Sequence, residues 1–260
     1  MFYRESKMEK KDKLLSLEIE KIHRDHDDTL GHKKIALLLK TGKNRINRVM
    51  KKYNLVARKR KKGYHYHGKI NTPPAPNIAN NETFLEILPD MGIIYSDIFE
   101  FQLADQTRVR GCFALLKQTR QCLSLVFDYS MKVTLVHQTI DNIEIIDDRF
   151  LLWHDDQGRQ YGAHSTREKI IKKGLIQSMS RPGTPTDNPF AERFVSTFKH
   201  AVCRKRKYYT FGEFLQQAKS WINFYNNQRP HEGIDNLTPN QFAHENDWPI
   251  VAEINKLCVY

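Results

Sequence analysis

Two short apolar runs, each leading to an aspartate, constrain this chain more than any other feature. Gly92-Ile93-Ile94-Tyr95-Ser96-Asp97-Ile98-Phe99 reads as a strand. Phe150-Leu151-Leu152-Trp153 is short and continuous enough for a buried strand, which reaches Asp156 and must end at Gln157-Gly158. A third carboxylate, Glu192, comes 192 − 156 = 36 positions later, leaving 35 residues between. It falls just inside a helix opened by Asn188 as N-cap and Pro189 at the first helical position. Two strand carboxylates and one helix carboxylate make a hard, all-oxygen donor set, which suits Mg²⁺ or Mn²⁺ and not zinc. Asp97, Asp156 and Glu192 are therefore the candidate catalytic and metal-ligating residues.

Around them stand His154-Asp155-Asp156-Gln157-Gly158 with Tyr161, then Ser178-Met179-Ser180-Arg181-Pro182-Gly183-Thr184-Pro185, Asp187-Asn188, Glu192-Arg193-Phe194 and Ser196-Thr197-Phe198-Lys199. Farther on come Tyr225-Asn226-Asn227-Gln228-Arg229-Pro230-His231 and Leu237-Thr238-Pro239. In this order they resemble the integrase core of bacterial insertion-sequence transposases, a branch of the DDE superfamily related to retroviral integrases. The resemblance is strongest over residues 149–245 and extends in part to 15–62. It implies an α/β fold: a ribonuclease-H-like integrase core, with a mixed sheet flanked by helices, preceded by a small all-α helix-turn-helix domain. It also implies double-stranded DNA as partner, both element ends and target, with several copies of the chain acting on it together. Phosphodiester hydrolysis and strand transfer at the element ends, supported by two Mg²⁺ or Mn²⁺ ions, is the implied activity.

Charge divides the chain in the same place. The formal net charge of +12 is uneven: residues 1–70 carry 21 Lys+Arg against 8 Asp+Glu, or +13, and the rest 42 − 21 = 21 against 30 − 8 = 22, or −1. A basic segment joined to a near-neutral body suggests a nucleic-acid anchor. Three helices are read there, over about 14–24 with Leu14, Leu17, Ile19 and Ile22 inward, over 33–40, and over 44–53 with Ile46, Val49, Met50 and Tyr53 inward. Thr41-Gly42 makes the turn between the last two, a helix-turn-helix pattern whose third helix keeps Lys43, Arg45, Arg48, Lys51 and Lys52 toward solvent. Leu30-Gly31 stands where these transposases usually have Tyr-Gly. Arg58-Lys59-Arg60-Lys61-Lys62 adds five successive cations as DNA contacts. Asn71-Thr72-Pro73-Pro74-Ala75-Pro76 then marks a linker. The expected division is 1–68 for the DNA-binding segment, 69–81 for the linker, 82–245 for the catalytic core and 246–260 for a tail.

Several positions leave alternatives open. Asp155 stands beside Asp156; the His-x-Asp-x-Gly pattern favours Asp156 as ligand, with Asp155 the fallback, and adjacent strand residues cannot both face one site. Asp128-Tyr129-Ser130 resembles an element that opens the third strand, yet Asp128 and Asp156 are only 28 positions apart. Either an early hairpin is enlarged and the following helix shortened, or this stretch has decayed; a DNA-binding remnant or a metal nuclease of the same fold are the competing functions. Glu192, Ser196 and Lys199 share one stripe of their helix, which makes Lys199 a candidate DNA contact. Thr210 and Glu213 form a capping box for a long helix ending at Arg229-Pro230-His231, where Arg229 and His231 read equally as DNA contacts or as a clamp.

Cys112, Cys122, Cys203 and Cys258 lack any C-x-x-C pairing, so neither a zinc site nor a disulfide framework is supported. No apolar run is long enough to span a bilayer and the N-terminus lacks a signal-peptide core. A cytoplasmic, nucleoid-associated setting is the expectation. The start at Phe2-Tyr3-Arg4 points to a further segment supplied by an upstream reading frame.

Overall fold

Aromatic and branched residues at alternate positions build the sheet that carries the site. In the computed structural model, which describes residues 6–26, 28–57, 73–88, 90–144, 149–204, 206–251, 254, 257 and 258, five strands form one mixed sheet. They are β1 (Gly92–Gln102), β2 (Arg108–Leu116), β3 (Cys122–Asp128), β4 (Leu151–Asp155) and β5 (Leu175–Met179). The order is β3-β2-β1-β4-β5, with the first three antiparallel and β4 and β5 parallel to β1. β4 is buried at every position, as a central parallel strand must be.

Side-chain alternation sends the two faces of the sheet into separate apolar layers. On one face Ile93, Tyr95, Phe99, Phe101, Phe127 and Leu152 meet Phe194 and Phe198 of α8 (Pro189–Phe198) and Phe214 and Trp221 of α9 (Phe211–Asn227). On the other, Ile94, Cys112, Ala114, Val126 and Trp153 meet α5 (Val133–Asp141) and the Ile170 side of α7 (His164–Lys172). Phe127 sits at the centre of the first layer, with ring centroids 6.0 Å from Phe99, 5.8 Å from Phe198 and 4.8 Å from Phe214. The α/β class and ribonuclease-H-like arrangement expected from the sequence are thus the ones adopted.

The crowded segment between Asp128 and Asp156 holds both elements in doubt, the nine-residue α5 and the five-residue β4. Upstream, β1 and β2 run to 11 and 9 residues, and this large hairpin is why Asp128 comes so late after Asp97. Asp128 ends β3 instead of opening it, and its carboxylate caps the turn by accepting from the Ser130 N–H and hydroxyl.

Three helices precede the sheet: α1 (Lys7–Asp25), α2 (His32–Leu38) and α3 (Lys43–Lys52). Ile46, Val49 and Met50 are buried as expected. In α1 the expected face is corrected: Leu14 and Leu17 are 65% and 55% exposed, and the inward stripe is Asp12, Leu15, Ser16, Ile19 and His23. Two of those five are short polar residues, so apolar periodicity alone misplaces the face. The helices dock on the body through His26, stacked on Phe224 at 3.8 Å between centroids, and through the Lys33–Glu232 ion pair at 3.3 Å.

The flanks are also tied in. Met179 N–H donates to the Pro76 carbonyl at 3.3 Å, and the Ile78 and Ala79 N–H groups donate to Ser178 Oγ, so the proline segment runs along β5. At the opposite edge Phe127 N–H donates to the Leu257 carbonyl at 2.8 Å, beside a parallel bridge between Phe127 and Cys258. Arg58 to Lys62 and residues 69–72 of the expected linker lie outside the described residues. No helix among the described residues is long and apolar enough to cross a membrane.

Candidate active site

Parallel pairing of β1 with β4 brings two aspartates side by side. The pairs run from Gly92 with Leu151 to Tyr95 with His154, a constant offset of 154 − 95 = 59. Two positions farther, the same offset sets Asp97 beside Asp156, one residue past the end of β4. Facing agrees with register. Asp97 alternates with Tyr95 and Phe99, and Asp156 alternates with Leu152, so both belong to the α8–α9 side of the sheet. Asp155 falls on the opposite side with Trp153, fully buried, where its Oδ2 accepts from Gln177 Nε2 at 3.1 Å. Burial pushes the Asp155 carboxyl well above the usual carboxylate range.

Backbone donors fix both site aspartates. Ile98 N–H donates to Asp97 Oδ1 at 2.7 Å and Gly158 N–H to Asp156 Oδ1 at 2.8 Å. Gly158 is needed for space, since a Cβ there would lie 2.8 Å from that same Oδ1. Burial first, then the charges of Asp156 and Glu192, raise the Asp97 pKa to about 8, against the lowering pull of the Ile98 N–H and of Lys199. Asp156 and Glu192 thus both act on Asp97, in a donor set made only of carboxylate oxygens. Such a set fits a hard divalent cation.

Glu192 is in the first turn of α8, on its exposed side, with Pro189 opening the helix as expected. Among the described residues no three His, Cys, Asp or Glu side chains are drawn into a ready-made metal cage, these three included. Asn188 departs from expectation: its side chain makes no cap and instead donates from Nδ2 to the Ser96 carbonyl at 3.2 Å. That bond ties the start of the Glu192 helix to the residue before Asp97, a role no sequence signal announces. His154, in the His-x-Asp pattern, meets Ser178 Oγ at 2.9 Å through Nδ1 and Ser180 Oγ at 3.0 Å through Nε2. Burial lowers its pKa to about 4, so it serves as a neutral brace between β4 and the end of β5. Arg181 donates three hydrogen bonds to Asp187, which holds the loop leading into α8.

Lys199 is placed inward. The regular helix ends at Phe198 and a turn of π-helix, Lys199–Cys203, follows. Its ammonium lies 5.6 Å from the Phe99 ring centroid, half-buried; burial lowers its pKa, while Cys203, Asp97 and Glu100 favour its charge. Lys199 and Glu192 both act on Asp97, so the cation leans toward the strand that carries that aspartate.

On α3 the cations Lys43, Arg45, Arg48, Lys51 and Lys52 are exposed, but two are engaged within the fold. Arg48 donates to both carboxylate oxygens of Asp12 at 2.7 Å, and Lys52 stands 3.7 Å from the same group. Asp12 is buried in the α1 face, so Arg48 clamps α1 to α3. Arg45 and Lys51 make no ion pair with a carboxylate among the described residues.

Arg229 and His231 take the clamp role. Arg229 is buried over the Tyr225 ring, and His231 meets that ring edge-on at 4.8 Å. Burial, then the charges of Arg229, Lys34 and Arg120, push the His231 pKa down to about 2. The folded ring is thus neutral, whereas the unfolded chain protonates it below about 6.5. Its contribution to stability is complete above that pH and drains as pH falls toward 2, by at most about 1.4 kcal/mol per pH unit. His231→Gln is accordingly expected to flatten the acid limb of the urea midpoint against pH; an unchanged limb would place the sensitivity elsewhere.

Comparison with known proteins follows the same geometry. Residues 173–239 match the family model described as integrase core domain, a span that includes Glu192 but neither aspartate. The chain is 25% identical over 262 residues to the transposase for insertion sequence element IS904 of Lactococcus lactis subsp. lactis, covering 95% of this chain and 100% of the relative. It is 27% identical over 252 residues to a 31 kDa protein of insertion element IS600 from Shigella sonnei, covering 90% and 88%. Among solved structures, a chain of the simian T-cell lymphotropic virus intasome, in complex with PP2A regulatory subunit B56 gamma, superposes with a TM-score of 0.51 at 14% identity, covering 91% of this chain and 78% of that one. That last likeness concerns the fold alone.

Proposed function

From a chain related along nearly its whole length to insertion-sequence transposases, and carrying an integrase-type core, we propose a DNA transposase that cuts and joins insertion-sequence ends. The observation that carries this reading is the electrostatic closeness of Asp97 to Asp156 and Glu192. Asp97, Asp156 and Glu192 are the catalytic carboxylates and the ligands for Mg²⁺ or Mn²⁺. Divalent ions bound there, two in this reading, would offset the charge of a phosphodiester and strengthen an oxygen nucleophile.

The chain's own part is positioning. The Ile98 and Gly158 N–H groups aim one oxygen of each aspartate, and Asn188 sets the Glu192 helix against β1. Water attacks a phosphodiester at the element end, one P–O bond forming as another breaks, and leaves a 3′-OH. That hydroxyl then attacks a second phosphodiester in line and gives strand transfer. Exposed Arg45 and Lys51 of α3, together with the Arg58-Lys59-Arg60-Lys61-Lys62 run, would hold duplex DNA, with Arg48 and Lys52 adding charge behind them. Copies of the chain would act as a multimer on paired ends, at the chromosome. The decayed-remnant reading loses its motive, because α5 and β4 both form in the segment that prompted it.

The test uses the full chain, a labelled duplex carrying the terminal inverted repeat, and Mg²⁺ or Mn²⁺. Expected are a nick with a free 3′-OH, joined products, and loss of both with chelator. Binding without nicking would overturn the reading, and nicking without joining would reduce it to a nuclease.

A further inference from the structure

Near the start of α8, two residues before Glu192, two cations meet one aromatic ring and a third stands beside them. Arg120, in the β2–β3 turn, lays its guanidinium carbon 4.2 Å from the Phe190 ring centroid, and the Lys117 ammonium lies 5.9 Å from it. Phe190 packs in turn on Tyr95 at 5.1 Å. The turn at Gly233 approaches the same guanidinium, where a Cβ would lie 3.2 Å from Arg120 Nη2. One Arg120 nitrogen donates to the Lys117 carbonyl at 2.6 Å. Arg193, the residue after Glu192, is close enough to disfavour the Arg120 charge, and Arg120 disfavours that of Lys117.

Among the described residues, none of Lys117, Arg120 and Arg193 makes an ion pair with a carboxylate. The nearby acids are committed elsewhere, Asp187 to Arg181 and Glu232 to Lys33. Half-burying two like charges beside a third without an anion is unfavourable for the chain alone. A guanidinium held by a ring, a backbone turn and the Lys117 carbonyl is also limited in its orientations, which favours presenting its remaining N–H groups to a phosphate. A DNA backbone, with a negative charge at every phosphodiester, supplies the missing counter-charge.

We infer that Lys117 and Arg120, on the Phe190 ring, form with the neighbouring Arg193 a second phosphate-contact site, which grips the DNA backbone beside the carboxylate site. The inference rests on the DNA reading above and goes beyond it, since these residues belong to neither the carboxylate set nor the N-terminal cations. They position the duplex and take no part in the chemistry.

The experiment measures binding of the full chain to a short fluorescein-labelled duplex of random sequence by anisotropy, across a series of salt concentrations. Arg193→Ala alters an exposed side chain and tests the site without disturbing the core. It should reduce the log–log salt slope by about 0.9, and Lys117→Ala with Arg193→Ala by about 1.8. Arg120→Lys should keep the slope and lose affinity, because charge remains but the stacked fork does not. Unchanged slopes in a wild-type background that binds and nicks DNA would overturn this inference alone. A wild-type chain that binds no duplex would overturn it together with the proposed function. A lost self-association with DNA binding intact would assign the cluster to protein contact and overturn it as well.

Discussion

Asp156→Asn is expected to lower nicking and joining by at least about 10²-fold, while Asp155→Asn leaves both near wild type. Asn keeps the size of Asp156 and its acceptor for the Gly158 N–H but removes the charge that faces Asp97. Asp155 is different in every respect that matters. It faces the other layer, accepts from Gln177, and is held toward its neutral form by burial, so a neutral amide is a close substitute there. DNA binding by both variants serves as the control, measured on the same duplex. An active Asp156→Asn beside an inactive Asp155→Asn would reverse the assignment and require β4 to present its other face to the site.

Phe127→Ala should produce the largest loss of stability, about 3–5 kcal/mol, read as a lower urea midpoint with an unchanged slope. Phe127 is fully buried, and its ring lies between those of Phe99, Phe101, Phe198 and Phe214. The neighbours belong to β1, α8 and α9, so the cavity would open where three elements meet and could not collapse from one side. Phe99 is two residues from Asp97 and Phe198 is next to Lys199, so residual activity should fall faster than the folded fraction. A loss below about 1 kcal/mol would mean the rings repack freely, which this close-packed layer does not allow.

What the sequence made legible, it did through signals with a local cause. Pro189 opens α8, Thr210 with Glu213 caps α9, and the short apolar runs are β1 and β4. The face on which Asp156 lies follows from strand alternation once the register is known, and register is a relation between strands that neither strand states. Other readings failed where a side chain's partner is distant in sequence. Asn188 looks like a cap until Ser96 is beside it, and Arg48 looks like a free cation until Asp12 is opposite. Leu14 and Leu17 looked inward because Asp12 and Ser16, which line the true face of α1, are invisible to apolar counting. The Phe190 cluster was unreadable for the same reason: Lys117 and Arg120 sit some seventy positions before Arg193, and only the fold gathers them.

The proline segment along β5 and the tail beside β3 have a meaning for how this chain keeps to itself. Each outer strand of a sheet offers unpaired backbone groups to any passing strand, and aggregation begins there. Here the Pro76 carbonyl takes a donor of β5 and the Leu257 carbonyl one of β3, so residues from either side of the 82–245 span shield its two open margins. A chain trimmed to 82–245 would keep every site carboxylate and bare both margins at once. Insolubility of such a fragment would then report lost guards and not a failed core.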